Sequence, residues 1–177
     1  MLYLSCGKPA LILIHGWANN KDIWDAQVTQ FAEKYMVVAV DLASFGESGN
    51  NRNDWTMAAF AEDVTAVIEK LKLKEVVLVG FSLGATVAIE TANKMPDLVS
   101  GVVIVDNLHD VDMQYPPQDV SNSVSWMMDL VSNPSIEKLA FFFRNDVEKS
   151  YQRILSMLGD GPRTGWSESL HGHMQWL

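Results

Sequence analysis

Short apolar runs alternate along the first hundred residues with longer stretches whose apolar side chains return every three or four positions. The short runs are Ala10-Leu11-Ile12-Leu13-Ile14, Val37-Val38-Ala39-Val40-Asp41-Leu42, Glu75-Val76-Val77-Leu78-Val79 and Gly101-Val102-Val103-Ile104-Val105-Asp106. Their length and β-branched content predict strands, with the Ala10 run buried and the Glu75 run fully so. Between them, Lys21 to Tyr35 carries Ile23, Trp24, Val28, Phe31 and Ala32 on one stripe, which predicts a helix. Thr56 to about Leu71 does the same with Met57, Phe60, Val64, Val67, Ile68 and Leu71. A third helix is predicted from Ala85, with Ala88, Ile89 and Ala92 on its apolar side and Pro96 as its stop. Strand and helix in alternation predict a mostly parallel sheet with helices on both faces, a three-layer α/β/α architecture.

Beyond Asn107 the pattern changes. Pro116-Pro117 marks a loop, and helical spacing then runs to the end of the sequence. One stripe is Val124, Met127, Met128 and Val131; a second is Ile136, Leu139, Ala140 and Phe143. A third is Val147, Tyr151, Ile154, Leu155 and Leu158, halted at Gly159-Asp160-Gly161-Pro162, and Trp166 to Leu177 reads as a fourth short helix. No β-branched run after Asp106 predicts another strand. The chain therefore divides into an α/β unit over residues 1–110 and a helical unit over 111–177. The density of Met and Trp in the second (Trp126, Met127, Met128, Met157, Trp166, Met174, Trp176) suits an adaptable lid over an apolar pocket, or a second small core.

Composition narrows the classes. A chain of 177 residues that is 48% hydrophobic and 20% charged has the usage of an ordinary globular protein with one good core. Its net charge of −9 argues against a nucleic acid or an anionic membrane as partner, since either calls for a basic face. A single cysteine, Cys6, excludes an internal disulfide framework and fits a reducing compartment. No signal-like segment opens the sequence and no apolar run reaches membrane-spanning length, so a cytoplasmic location is expected.

Chemistry concentrates at two loops that follow strands. Gly80-Phe81-Ser82-Leu83-Gly84 lies where the third strand meets its helix. Gly-x-Ser-x-Gly at such a junction forces a tight turn that lifts the serine hydroxyl to the carboxyl edge of the sheet, while the glycines let neighbouring chain pass closely. His15-Gly16-Trp17 follows the first strand. Acyl transfer needs two backbone N–H donors aimed where an oxyanion develops. Leu83, at a helix N-terminus, and Trp17, in the facing loop, are placed to supply them. A third loop, Ala43-Ser44-Phe45-Gly46-Glu47-Ser48-Gly49, follows the second strand.

On these residues the chain resembles the α/β-hydrolase superfamily, in its esterase-like branch with a helical cap. The resemblance is carried by specific motifs from about Ala10 to Asn107 and is looser beyond. The His-Gly-x loop maps onto His15, Gly16 and Trp17, and the nucleophile elbow onto Gly80 to Gly84. The usual Gly-His-Gly-x-Ser turn stands here as Ser44-Phe45-Gly46-Glu47-Ser48, with two departures, and Phe81 occupies an elbow position where histidine is frequent. The resemblance implies a serine hydrolase of carboxylic esters or thioesters of small molecules, with Ser82 as nucleophile and no cofactor or metal. His15, Gly16 and Phe81, with Trp17, would border the substrate pocket. Cofactor-free haloperoxidase and C–C hydrolase chemistry use the same fold and remain open.

The family's last two strands, whose loops carry the triad acid and histidine, are not evident. Candidates for the missing base are His109, just beyond a strand end, and His171 and His173, late enough for the order Ser, Asp, His. Asp106 stands where some members of the superfamily place the acid; as a loop-capping carboxylate it would have no catalytic part. A catalytically impaired fragment, or a pseudoenzyme holding a small apolar ligand, is the alternative. An unpaired outer edge on the fourth strand would favour self-association.

Overall fold

The structure, a computed structural model, describes residues 2–3, 8–106, 116–139, 151–152, 155 and 165–176. The four apolar runs become β2 (Ala10–Ile14), β3 (Val37–Val40), β4 (Val76–Phe81) and β5 (Val99–Val105), all mutually parallel. A two-residue strand, β1 (Leu2–Tyr3), joins β3 antiparallel and completes a sheet of order β1-β3-β2-β4-β5. Two residues are too few to show a period, and the sequence gives no sign of this strand.

Helices cover both faces. On one side Ile12, Ile14, Val38 and Leu78 of the sheet pack with Phe60, Val64 and Ile68 of α2 (Met57–Lys70) and with Leu83, Val87 and Ala88 of α3 (Leu83–Lys94). Thr56 caps α2, its hydroxyl accepting the Ala59 N–H at 3.2 Å. The opposite face is thinner. The segment expected as one helix from Lys21 to Tyr35 is a tight 3-10 turn, Lys21–Trp24, followed by α1 (Asp25–Phe31). Asn20 holds the Asp22 N–H at 3.1 Å and starts the turn; Lys34 N–H closes back on the Phe31 carbonyl at 3.0 Å and ends the helix. Trp24 and Val28 cover Leu11, Leu13, Val37 and Ala39.

β4 is not the doubly buried strand its sequence predicts. β4 alternates: Val76, Leu78 and Gly80 are buried, while Val77, Val79 and Phe81 are half-buried. On β5, bonded to β4 along one side, Val103 and Ile104 stay 47% and 46% exposed.

After β5 the described helices are α4 (Pro117–Ser132), α5 (Ile136–Leu139) and α6 (Trp166–Trp176). Val120, Val124, Val131, Trp166 and Leu170 join the same buried cluster as Trp17, Phe45 and Trp55. Most of the stripe from Val147 to Leu158 lies outside the described residues. Among the described residues no helix is long and apolar enough to cross a membrane.

Candidate active site

Ser82 sits at φ 52°, ψ −122°, between the end of β4 and the first turn of α3. A non-glycine residue held there costs about 1–3 kcal/mol and persists only where its surroundings over-determine it. They do. Ser82 N–H donates to the Val105 carbonyl at 3.0 Å, and its own carbonyl accepts the Ala85 N–H at 2.8 Å. Both flanking glycines are obligatory on steric grounds. A Cβ on Gly80 would strike the Gly84 carbonyl and the Ala85 Cα; one on Gly84 would strike the carbonyls of Ile14 and His15. Although serine is a favoured helix cap, the Ser82 side chain makes no cap hydrogen bond to α3. Its hydroxyl is half-exposed at the carboxyl edge of the sheet and unspent on its own helix.

The His15-Gly16-Trp17 loop presses against this elbow. A Cβ on Gly16 would lie 3.0 Å from the Phe81 ring and 3.1 Å from Ser82 Cβ, which places Gly16 and Phe81 beside the nucleophile candidate. His15 is fully buried and fixes the loop with both ring nitrogens. Nε2 accepts the Leu42 N–H at 3.0 Å, so the proton is on Nδ1, which donates to the Gly16 carbonyl at 2.7 Å. In a trans peptide the carbonyl and the following N–H point in opposite directions. By holding the Gly16 oxygen, His15 therefore aims the Trp17 N–H the other way.

Burial lowers the His15 pKa to about 4, against the ordinary 6.5. Between those values the unfolded chain binds a proton that the folded chain refuses, so stability is lost as pH falls through that window. The loss is about 3 kcal/mol by linkage. Asp41, whose carboxyl is held below its ordinary 3.8, adds its own loss only at lower pH. We expect the urea midpoint to fall from pH 7 to pH 4.5 in the native chain and much less in a His15→Asn variant. Parallel slopes in the two would show that His15 does not carry the effect.

The third loop is built around Asp41. Its carboxylate accepts the Lys21 N–H at 2.7 Å, the Lys21 ammonium at 2.9 Å and the Glu47 N–H at 3.1 Å. Burial pushes this carboxyl up, but those three donors outweigh it and the net direction is down. Gly46, at φ 52°, leaves room for Asp41 that a Cβ would fill. Ser44 adopts φ 70° where the family's turn has glycine, and Phe45, in the histidine position, is fully buried with its ring edge-on to His15. Nothing in the sequence marked Lys21, at the head of a helical stripe, and Asp41, at the end of a strand run, as partners.

The remaining candidates are scattered. Asp106 follows Val105, which pairs with Phe81, so it stands one residue past the strand in register with Ser82; it is exposed, at φ 51°. His173, on α6, is buried with Nδ1 3.1 Å from Thr86 Oγ1, one helical turn beyond Ser82 on α3. His171 is half-buried, Nδ1 3.1 Å from the Ser167 carbonyl of its own helix. The hydrogen bonds described for both late histidines thus go elsewhere than to Ser82. His109 lies outside the described residues. Among the described residues no group of three or more His, Cys, Asp or Glu side chains is arranged to hold a metal.

Comparison with known proteins shows the family and the fold. The family model described as alpha/beta hydrolase fold matches residues 9–159, and the chain belongs to that family. The pimeloyl-[acyl-carrier protein] methyl ester esterase of Edwardsiella ictaluri is 33% identical over 99 residues, 56% of this chain and 36% of that protein. Epoxide hydrolase 3 of Xenopus tropicalis is 29% identical over 136 residues, 73% of this chain and 37% of that one. A thermophilic esterase from Thermogutta terrifontis superposes with a TM-score of 0.77 at 24% identity, over 96% of this chain and 64% of its own. The matches take in 28% to 38% of the lengths of the curated relatives.

Proposed function

We propose that this chain is a serine hydrolase of carboxylic esters or thioesters of small molecules, acting through an acyl-enzyme on Ser82. The observation that carries the reading is the backbone of Ser82: a strained residue whose hydroxyl serves no cap, at a helix N-terminus, with the Gly16 loop in contact. Ser82 Oγ attacks the carbonyl carbon while a base takes its proton. The tetrahedral oxyanion lies against the N–H groups of Trp17 and Leu83. Its collapse expels the alcohol or thiol, which leaves with that proton. Water then attacks the acyl carbon by the same route and frees Ser82. The base is assigned to a histidine, His109, His171 or His173, and Asp106, in register with Ser82, is the candidate carboxylate to orient it. Residues 111–177 would form the cap over the pocket.

Chemistry favours esters over the epoxides named for one relative. A serine that opened an epoxide would be left as an alkyl ether, which water does not hydrolyse, whereas an acyl-serine is an ester that water does. The test is hydrolysis of a short p-nitrophenyl ester by the chain and by its Ser82→Ala variant. Turnover that depends on Ser82 supports the reading, and the three histidines are the next substitutions. A second reading is favoured by the engagement of His171 and His173 with Ser167 and Thr86: a pocket that binds a small apolar ligand without turning it over. Saturable binding in folded chain with equal hydrolysis by both forms would support it.

Among the described residues β5 pairs only with β4, and its outer edge carries an expectation of its own. Val99-Ser100-Gly101-Val102-Val103-Ile104-Val105 has neither charge nor proline to discourage strand addition. Sedimentation velocity should show concentration-dependent self-association that Ile104→Lys weakens; a monomer at every concentration would contradict it.

A further inference from the structure

The oxyanion loop is tied to a helix 149 residues away by a connected set of aromatic rings. Trp17 Nε1 donates to the Trp166 carbonyl at 2.9 Å, and Trp166 Nε1 donates to the Ser44 carbonyl at 3.0 Å. The Trp166 indole stacks on Phe45 with centroids 5.1 Å apart and meets Trp17 edge-on at 5.6 Å. Phe45 in turn meets His15 edge-on at 5.5 Å. All four rings are buried. The entry into α6 is fixed as well: Gly165 stands at φ 88°, and a Cβ there would strike the Trp55 ring.

These contacts bear on one peptide. The Gly16–Trp17 plane has its carbonyl end held by His15, and the residue at its N–H end is anchored through its indole to the start of α6. Ala18, next in the chain, is at φ 54°, so the loop does not relax freely around that anchor. We propose that Trp166 is a positioning residue for the oxyanion hole: its seat between Trp17, Phe45 and Ser44 sets the direction of the Trp17 N–H. Helix α6 would then hold part of the active site in shape. This rests on the reading of Ser82 and Trp17 given above, and it adds a residue outside the motifs that carry that reading.

The experiment uses the 177-residue chain with Trp166→Phe and Trp166→Ala. Phenylalanine keeps a ring on Phe45 but removes the N–H to Ser44; alanine removes both. Two readouts are taken: amide hydrogen exchange of residues 15–19 against that of α2, and the rate of Ser82 labelling by a fluorophosphonate. Loss of one buried hydrogen bond should speed exchange at residues 15–19 about fivefold in Trp166→Phe and more in Trp166→Ala, with α2 unchanged in the former. The maximal labelling rate should fall by a similar factor at unchanged half-saturating concentration, a split that mere loss of stability would not produce. Exchange at residues 15–19 that moves only in step with α2 overturns the proposal, as does faster exchange with an unaltered labelling rate. If the native chain is not labelled at all, the Ser82 reading fails separately, and the exchange comparison alone decides whether Trp166 holds the loop.

Discussion

Replacing Ser82 by alanine is expected to abolish covalent labelling by fluorophosphonates and to leave the fold intact. The two halves of this expectation have separate causes. Labelling requires an oxygen that attacks phosphorus and expels fluoride, and alanine offers none, so the rate should drop at least about 10³-fold. Stability should hardly change, because the hydroxyl makes no cap bond to α3 and is half-exposed. The strained backbone is shared by the two variants: alanine at φ 52° is as uncomfortable as serine. A shift within about 0.5 kcal/mol is the expectation for a substitution that breaks no named interaction. Labelling gels beside calorimetric melts provide the check. Labelling that survives in the alanine variant would move the nucleophile to another residue and remove the proposed mechanism.

If Ser82 labels yet esters are not turned over, the deficit lies with the base. In a serine hydrolase lacking its base, an oxyanion hole and a bound substrate alone leave roughly 10³–10⁴-fold acceleration over water. Such a rate is measurable but far below a working esterase. Asp106 bears on this outcome because its backbone aligns with Ser82 through the Phe81–Val105 pair. A carboxylate in register with a nucleophile, on the same sheet edge, orients a histidine only if one reaches the space between them. The buried contact of His173 with Thr86 shows what competes: a hydroxyl on α3 that satisfies the ring where it stands.

Much of this architecture was legible because its signals are local. The elbow declared itself through Gly80, Ser82 and Gly84 between a β-branched run and a helical period. The helix from Thr56 was legible through its cap and stripe, and starts at Met57. What escaped the sequence depends on contacts distant in the chain or on partial burial. The half-buried side of β4 depends on what packs over it, which no strand's own composition encodes. The Lys21 segment shows helical spacing, yet the Asn20 side chain wins the first amide and tightens the turn. Trp166 reads as one more apolar residue in a Met- and Trp-rich region; only the folded chain brings it to Trp17 and Ser44. Likewise Asp41 is just a polar residue after a strand until Lys21 and Glu47 fold around it. The elbow of the candidate site is thus written in adjacent residues, and its support in tertiary contacts.

Gly84→Ala should be strongly damaging, and its sign separates two physical effects. Helix propensity alone says that alanine in place of glycine in a helix stabilises by roughly 1 kcal/mol. Sterics say the opposite here. The added Cβ would strike the Ile14 and His15 carbonyl oxygens and come within 2.8 Å of the Ile14 carbonyl carbon. These are backbone atoms of the central strand β2 and of the loop it feeds, so no side chain can turn aside to make room. Either α3 retreats from the sheet or β2 shifts, and each opens a buried cluster that includes Ile14, Leu83 and Val87. A net loss of about 3 kcal/mol, or roughly 10 °C in melting temperature, is expected. Retreat of α3 would also draw Leu83 away from the Trp17 loop, so labelling of Ser82 should slow even at temperatures where the variant is folded. Gly49→Ala is the control, since a Cβ there meets nothing within 4 Å and its φ lies outside the left-handed region. Equal melting temperatures for the two variants would mean that the close approach of α3 to β2 does not constrain the elbow. A Gly84→Ala chain more stable than the native one would mean that propensity outweighs the contact.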